Sequence, residues 1–61
     1  MIVDFKTKEN YESVFAKEGI TNTVILKQKK AYFGIVFKNF PNLDISGATL
    51  ENCSFENCEV I

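Results

Sequence analysis

Apolar residues recur with a period of five in the last third of the chain. The third place of each five-residue block holds a large apolar residue, and the first place holds an apolar residue that becomes smaller along the chain. The third places are Ile45, Leu50, Phe55 and Val60, and the first places are Leu43, Ala48, Cys53 and Cys58. A period of five matches neither an α-helix nor a continuous strand, so it predicts a chain that turns a corner after every short extended stretch.

The last place of each complete block supplies the corner. Gly47, Asn52 and Asn57 stand there, and Gly and Asn tolerate left-handed backbone angles at the lowest cost. Alternate side chains of an extended stretch point to opposite sides, so the first and third places face inward together. Four such sides predict a square coil whose successive turns pair as parallel strands about 4.8 Å apart.

The apolar column extends upstream through Phe40 and Ile35. Because 46% of the chain is apolar, such a column also arises by chance in some sequences. The Gly/Asn column and the small residues in the first place strengthen the interpretation. The alternative is an acidic loop with scattered apolar residues that contact a core.

A helix is predicted over Lys8–Glu18, with Thr7 as its N-cap and Gly19 as the residue that ends it. One apolar stripe follows helical spacing on this segment. The stripe consists of Tyr11, Val14 and Phe15.

Three apolar runs around this helix are predicted strands. They are Ile2–Phe5, Thr23–Leu26 and Ala31–Phe37, and they are rich in β-branched and aromatic residues. Gln28-Lys29-Lys30 is polar enough for a hairpin loop between the last two. Pro41 and Asn42 favour a turn into the coil. Residues 1–40 are therefore predicted to form a β-α-β-β cap.

The five-residue pattern resembles the pentapeptide-repeat family, whose consensus is roughly Ala-Asp/Asn-Leu-x-x. The blocks that carry the resemblance are Ala48-Thr49-Leu50, Cys53-Ser54-Phe55, Cys58-Glu59-Val60 and, more weakly, Leu43-Asp44-Ile45. The resemblance covers about a third of the chain and implies a right-handed square β-helix. The fold class expected is α+β: one domain, with a β-α-β-β cap over residues 1–40 and about one coil of quadrilateral β-helix over residues 41–61.

Length and cysteine use limit the function classes. A chain of 61 residues makes one domain and buries only about 60% of its unfolded surface. No apolar run is long enough to cross a membrane and the start lacks a basic leader, so a cytoplasmic location is expected. Cys53 and Cys58 occupy inward places and are predicted to fill the core rather than to form a disulfide or bind a metal.

Charge is divided unequally along the chain. Residues 1–40 hold seven lysines against four acidic residues, a balance of +3, whereas residues 41–61 hold four acidic residues and no basic one, a balance of −4. The candidate partner-binding residues are the four acids Asp44, Glu51, Glu56 and Glu59. Carboxylates displayed on a rigid scaffold can imitate the phosphates of DNA, of which each strand has one per about 3.4 Å of helix axis.

The resemblance implies the same kind of function. Some longer pentapeptide-repeat proteins that protect type II topoisomerases are regarded as DNA mimics, and small acidic phage proteins, including some anti-CRISPR inhibitors, act similarly. The expected function is a non-catalytic, DNA-mimicking inhibitor of this phage-encoded kind, which binds a nucleic-acid-binding protein or complex. The alternative is a structural or oligomerisation module whose acidity serves solubility, and a homodimer through the C-terminal coil end fits either interpretation.

The sequence gives little support for catalysis. It contains no His, no Gly-rich phosphate loop and no nucleophile with an evident base partner, so no enzyme activity and no cofactor is expected. Direct nucleic-acid binding is not expected either, because the composition lacks a strongly basic or aromatic-basic signature. The lysines weighed for that role are Lys27, Lys29, Lys30 and Lys38.

Overall fold

The computed structural model describes residues 1–18, 23–26 and 30–61. In those residues the chain forms short strands, one 3₁₀ helix at Tyr11–Ser13 and no α-helix. The strands are β1 (Ile2–Asp4), β2 (Phe15–Glu18), β3 (Thr23–Leu26), β4 (Ala31–Phe33), β5 (Val36–Lys38), β6 (Asn42–Asp44), β7 (Thr49–Glu51) and β8 (Ser54–Glu56).

The strands form three small sheets around a common core. Their orders are β1-β5-β8, β2-β3-β6 and β4-β7. All neighbouring strands run parallel except β2 and β3, which are antiparallel with a bulge between Phe15 and Lys17. The dominance of parallel pairing means that the chain repeatedly returns beside an earlier segment in the same direction.

The chain returns to a neighbouring strand after a nearly constant interval. Leu50 lies beside Tyr32 and Phe55 lies beside Phe37, and these two pairs have the same separation along the chain. The separation is slightly longer between β3 and β6, and slightly shorter between β6 and Val60, which are joined by an isolated parallel bridge. Each of these separations is shorter than the length of a turn built from four five-residue sides. The strands of successive turns pair in three sheets, not along four sides.

The corners of this winding use left-handed residues. Gly47, Asn52 and Asn57 have φ of 78°, 54° and 54°, which confirms the prediction that they mark corners. Gly34 and Asn39 have φ of 64° and 65° at the equivalent corners one turn earlier. Gly34 follows β4 as Asn52 follows its partner β7, and Asn39 follows β5 as Asn57 follows β8. The same backbone conformation therefore recurs at stacked positions.

The predicted helix over Lys8–Glu18 is wrong. Lys8 and Asn10 have positive φ of 62° and 54°, which interrupts a right-handed helix, and only Tyr11–Ser13 makes a 3₁₀ turn. Phe15–Glu18 is instead strand β2. An isolated helix of this length is marginal in water, whereas β2 gains backbone hydrogen bonds from β3. Thr7 caps no helix, but its hydroxyl accepts the backbone N–H of Glu9 at 3.3 Å.

The α+β class with its β-α-β-β cap is therefore corrected to an arrangement of short strands. The predicted strand Ala31–Phe37 is two strands, because Gly34 turns the chain between β4 and β5. These strands do not form a hairpin with β3, since β3 pairs with β2 and β6 while β4 pairs with β7. Asn42 lies in strand β6 rather than in a turn. Gly19 and the loop residues Gln28 and Lys29 lie outside the described residues.

Apolar side chains from all three sheets share one core. Its buried members are Val3, Val14, Phe15, Val24, Leu26, Tyr32, Ile35, Phe37, Phe40 and Leu43. Val14 and Phe15 from the mistaken helix contribute to this core even though their backbone is not helical. The Tyr32 hydroxyl donates a hydrogen bond to the backbone carbonyl of Val14 at 3.0 Å, which joins β4 to the N-terminal segment.

A ladder of polar side chains joins three successive passes of the chain at one corner. The side-chain amide of Asn57 donates to Asn39 Oδ1 at 2.9 Å, and the amide of Asn39 donates to Asp4 Oδ1 at 3.1 Å. The backbone N–H groups of Lys6 and Thr7 also donate to Asp4 Oδ1. The hydrogen bond from Asn39 is the main cause that lowers the pKa of Asp4, with smaller contributions from these backbone groups and the charge of Lys38.

Candidate functional site

The last turn of the chain leaves one end of the molecule uncovered. Among the described strands, β7 pairs only with β4 and β8 pairs only with β5, so both have a free edge on the same side. We call this region the open end. It comprises the central residues Leu50, Phe55 and Val60 and the glutamates Glu51, Glu56 and Glu59.

The centre of the open end is apolar and half exposed. Phe55 stacks on the buried Phe37 with a ring separation of 5.3 Å and an interplanar angle of 13°. Its side chain is still 37% exposed and that of Val60 is 41% exposed, while Leu50 packs partly buried against the core. Of the third places predicted to face one interior, Ile45 and Leu50 do pack partly buried against the core, whereas Phe55 and Val60 are exposed because no further layer of the described chain covers them.

The backbone groups at the same positions point out of the molecule. In β8, Ser54 N–H donates to the Ile35 carbonyl and the Glu56 carbonyl accepts from Asn39 N–H, each at 2.9 Å. Ser54 and Glu56 thus direct their backbone groups toward β5. Because these directions alternate along a strand, the N–H and C=O of Phe55 point toward the free edge. Leu50 is in the equivalent position, since Glu51 accepts from Gly34 N–H at 3.0 Å.

Three of the four predicted contact acids surround this centre. Glu51 and Glu56 are the last residues of β7 and β8, Glu59 follows shortly after, and all three are exposed. Their shared location follows from the five-residue pattern, which places them one corner apart.

The fourth acid, Asp44, is engaged in its own turn. Its carboxylate accepts the Ser46 hydroxyl at 2.7 Å and the Ser46 backbone N–H at 2.9 Å. These bonds lower the pKa of Asp44, the hydroxyl contributing most. Asp44 is half-buried on β6, whereas the three glutamates are exposed. The Asp44 carboxylate therefore stabilises its own turn and does not join the three glutamates.

Stability should fall in acid because of Asp4 and Asp44. Both carboxyl groups have a folded pKa below the unfolded value of about 3.9, so they stabilise the fold above that pH and lose the effect as pH falls through the folded pKa. We expect Asp4→Asn with Asp44→Asn to flatten the change in urea midpoint between pH 6 and pH 2.5. Glu9→Gln with Glu12→Gln is the control, and an equal flattening in the control would contradict the assignment.

A shallow groove of about 410 Å³ lies beside the carboxyl end of β8. It is lined by Asn39, Phe40, Pro41, Phe55, Asn57, Cys58 and Glu59. The groove joins the exposed Phe55 ring to an acidic side chain, so it continues the apolar centre toward the rim of the open end.

The two cysteines lie beneath this surface as free thiols. The Cys58 thiol contacts the carbonyls of Phe37 and Glu56 at 3.3 Å, and the Cys53 thiol contacts those of Tyr32 and Glu51 at 3.6 and 3.4 Å. Both are half-buried against the core, as predicted for small apolar residues in the first place. They support β7 and β8 from within.

Two features near the site were not anticipated from the sequence. Lys38 lies directly beside Glu56 on the neighbouring strand, so one of the three glutamates has a cationic neighbour. Phe33 is 63% exposed on the outer face of β4, next to Glu51 of β7. Alternation within Ala31–Phe33 gives a signal for this exposure, because the buried Tyr32 requires its neighbours to face outward.

Comparison with known proteins gives no relative from which to assign a family. The chain matches no protein-family model, no curated protein and no solved structure. In the described part of the chain, no helix has the length and apolar character needed to cross a membrane.

Proposed function

We propose that this chain is a non-catalytic binding protein whose open end engages a basic surface of a partner protein. The observation that supports the proposal most is a half-exposed apolar centre, formed by Leu50, Phe55 and Val60, with three exposed glutamates around it. An apolar centre with a polar rim is the usual anatomy of a protein interface. The carboxylates would steer a basic partner and fix its orientation.

The partner proposed is a nucleic-acid-binding protein or complex, and the chain would act as a DNA mimic in the cytoplasm. The absence of any basic residue after Lys38 supports this choice, since the whole open-end segment carries charge of one sign. The resemblance to pentapeptide-repeat proteins adds the proposal that the chain is a phage-encoded inhibitor of a bacterial defence complex, as anti-CRISPR proteins are. Glu51, Glu56 and Glu59 are the contact charges proposed, with Asp44 holding its turn.

Reversing two of these charges should abolish capture of such partners. We expect Glu51→Lys with Glu56→Lys to reduce recovery from a bacterial lysate by about tenfold or more, because attraction at two close charges becomes repulsion. Quantitative mass spectrometry of captured proteins, with and without excess duplex DNA, measures this. The proteins lost in the double variant should be the ones that DNA displaces and that higher salt releases.

The control is Glu9→Lys with Glu12→Lys, which changes two exposed glutamates away from the open end. Both double variants shift the net charge from −1 to +3, so a non-specific charge effect would move them equally. Equal recovery from the two variants would contradict the proposal, and so would insensitivity of the captured set to DNA.

A further inference from the structure

The outer face of the sheet β1-β5-β8 carries a row of alternating charge. The in-register residues across the sheet are Asp4, Lys38 and Glu56, which give negative, positive and negative side chains in order. Opposite charges on directly neighbouring strands stabilise a sheet, and like charges destabilise it. The row ends at the free edge on the negative Glu56, so a lysine or arginine is the side chain that would continue it favourably.

The inner row of the same sheet is apolar throughout. Val3, Phe37 and Phe55 are in register, with Val3 and Phe37 buried and Phe55 half exposed at the free edge. An apolar side chain beyond Phe55 would cover its ring in the way that Phe55 covers Phe37. The third row consists of Ile2, Val36 and Ser54 and becomes polar at the free edge. It therefore does not favour a particular side chain on an added strand.

We propose that β8 accepts a fourth strand from the partner protein, and that this strand carries an apolar residue opposite Phe55 next to a lysine or arginine opposite Glu56. The outward N–H and C=O of Phe55 supply the backbone hydrogen bonds for such an addition. The groove beside β8 receives the side chain that follows. This inference depends on the proposed function and specifies how its partner is recognised.

A second copy of the chain fits this edge less well than a basic segment. Pairing two open ends would gather Glu51, Glu56 and Glu59 of both copies around one contact. Residues 39–61, which include the whole open end, contain no lysine or arginine that could face these glutamates across the contact. Like charges brought together in this way oppose association, so charge complementarity favours a partner with basic side chains.

A charge-exchange experiment with peptides tests the inference. The probe is the capped peptide Ser-Thr-Val-Phe-Lys-Thr-Ser, and its counterpart has Glu in place of Lys. We expect the wild-type protein to bind the Lys peptide about three to ten times more tightly than the Glu peptide, in line with exposed charge pairs. The Glu56→Lys variant should reverse this preference, and Glu9→Lys should keep the wild-type order. Affinities come from titrations followed by amide NMR shifts, which should cluster at residues 54–56.

Backbone methylation separates strand addition from simple charge attraction. In an edge-paired strand, successive amides point alternately toward and away from the neighbour. N-methylation at one of two successive peptide positions should therefore weaken binding about fivefold, the effect of one lost hydrogen bond, while methylation at the other leaves affinity unchanged. Equal effects at both positions would overturn the inference.

Two further outcomes also overturn it. One is a set of NMR shifts centred away from β8, and the other is concentration-dependent dimerisation in sedimentation runs that protects residues 54–56 without peptide. The lysate experiment tests the proposed function independently of the peptide experiments. Loss of the DNA-displaceable proteins in the Glu51, Glu56 double variant with no peptide preference would leave the proposed function supported and strand addition refuted.

Discussion

Replacing Phe40 with alanine should destabilise the protein by about 3–5 kcal/mol, the usual cost of removing a fully buried aromatic ring. Phe40 is completely buried, and its ring lies 5.1–6.3 Å from those of Phe5, Tyr11, Phe15 and Phe37. These neighbours come from the N-terminal turns, β2 and β5, so the loss affects contacts that join the sheets. In a chain of 61 residues the effect is comparable to the whole stability expected of a small domain.

Phe33→Ala is the matched control for Phe40→Ala. Phe33 has the same side chain but lies exposed on β4, so its removal should change stability by less than about 0.5 kcal/mol. Urea unfolding followed by circular dichroism measures both variants. Equal destabilisation of the two would mean that Phe40 does not occupy the centre of the core.

The corners could be predicted because their chemistry is local. Gly47, Asn52 and Asn57 have the positive φ expected of them, since Gly and Asn reach this conformation without help from distant residues. The segment 8–18 could not be predicted in the same way. Its apolar spacing suits a helix, but pairing with β3, a contact distant in sequence, determines the strand at Phe15–Glu18.

The number of residues in one turn of the chain could not be predicted from local sequence either. The five-residue column, extended upstream, puts Ile35 and Phe40 in the third place. The pairing instead sets Tyr32 below Leu50 and Phe37 below Phe55, so Ile35 and Phe40 lie below the first-place Cys53 and Cys58. Both alignments bury apolar residues, and only the parallel hydrogen bonds between turns distinguish them.

The candidate site also has features that the sequence predicts and features that it does not. The exposure of Glu51, Glu56 and Glu59 follows from the alternation of side chains within each block. The half-exposed state of Phe55 does not follow, because the same place one turn earlier is the fully buried Phe37. Phe37 is buried because Phe55 of the next turn covers it, whereas no described strand covers Phe55. The spacing of apolar residues is the same in both turns, so it does not distinguish the covered turn from the uncovered one.

Replacing Asn39 with valine should destabilise the fold by about 2–4 kcal/mol. Asn39 has φ of 65°, where a β-branched residue is strained by more than the roughly 1–2 kcal/mol typical of left-handed residues. Valine also removes the hydrogen bonds to Asp4 and from Asn57, each worth about 0.5–1.5 kcal/mol. Thermal and urea unfolding measure the total.

Asn39→Gly separates the two contributions, because glycine accepts the left-handed backbone but lacks the side-chain amide. We expect the glycine variant to lose about half as much stability as the valine variant. Its cost should also shrink as the pH falls through the lowered pKa of Asp4, since protonation of Asp4 weakens the hydrogen bond that Asn39 donates and that holds this pKa down. The backbone cost in Asn39→Val involves no titrating group and should persist at every pH. Equal losses for valine and glycine would show that the side-chain ladder, rather than the left-handed corner, makes asparagine necessary here.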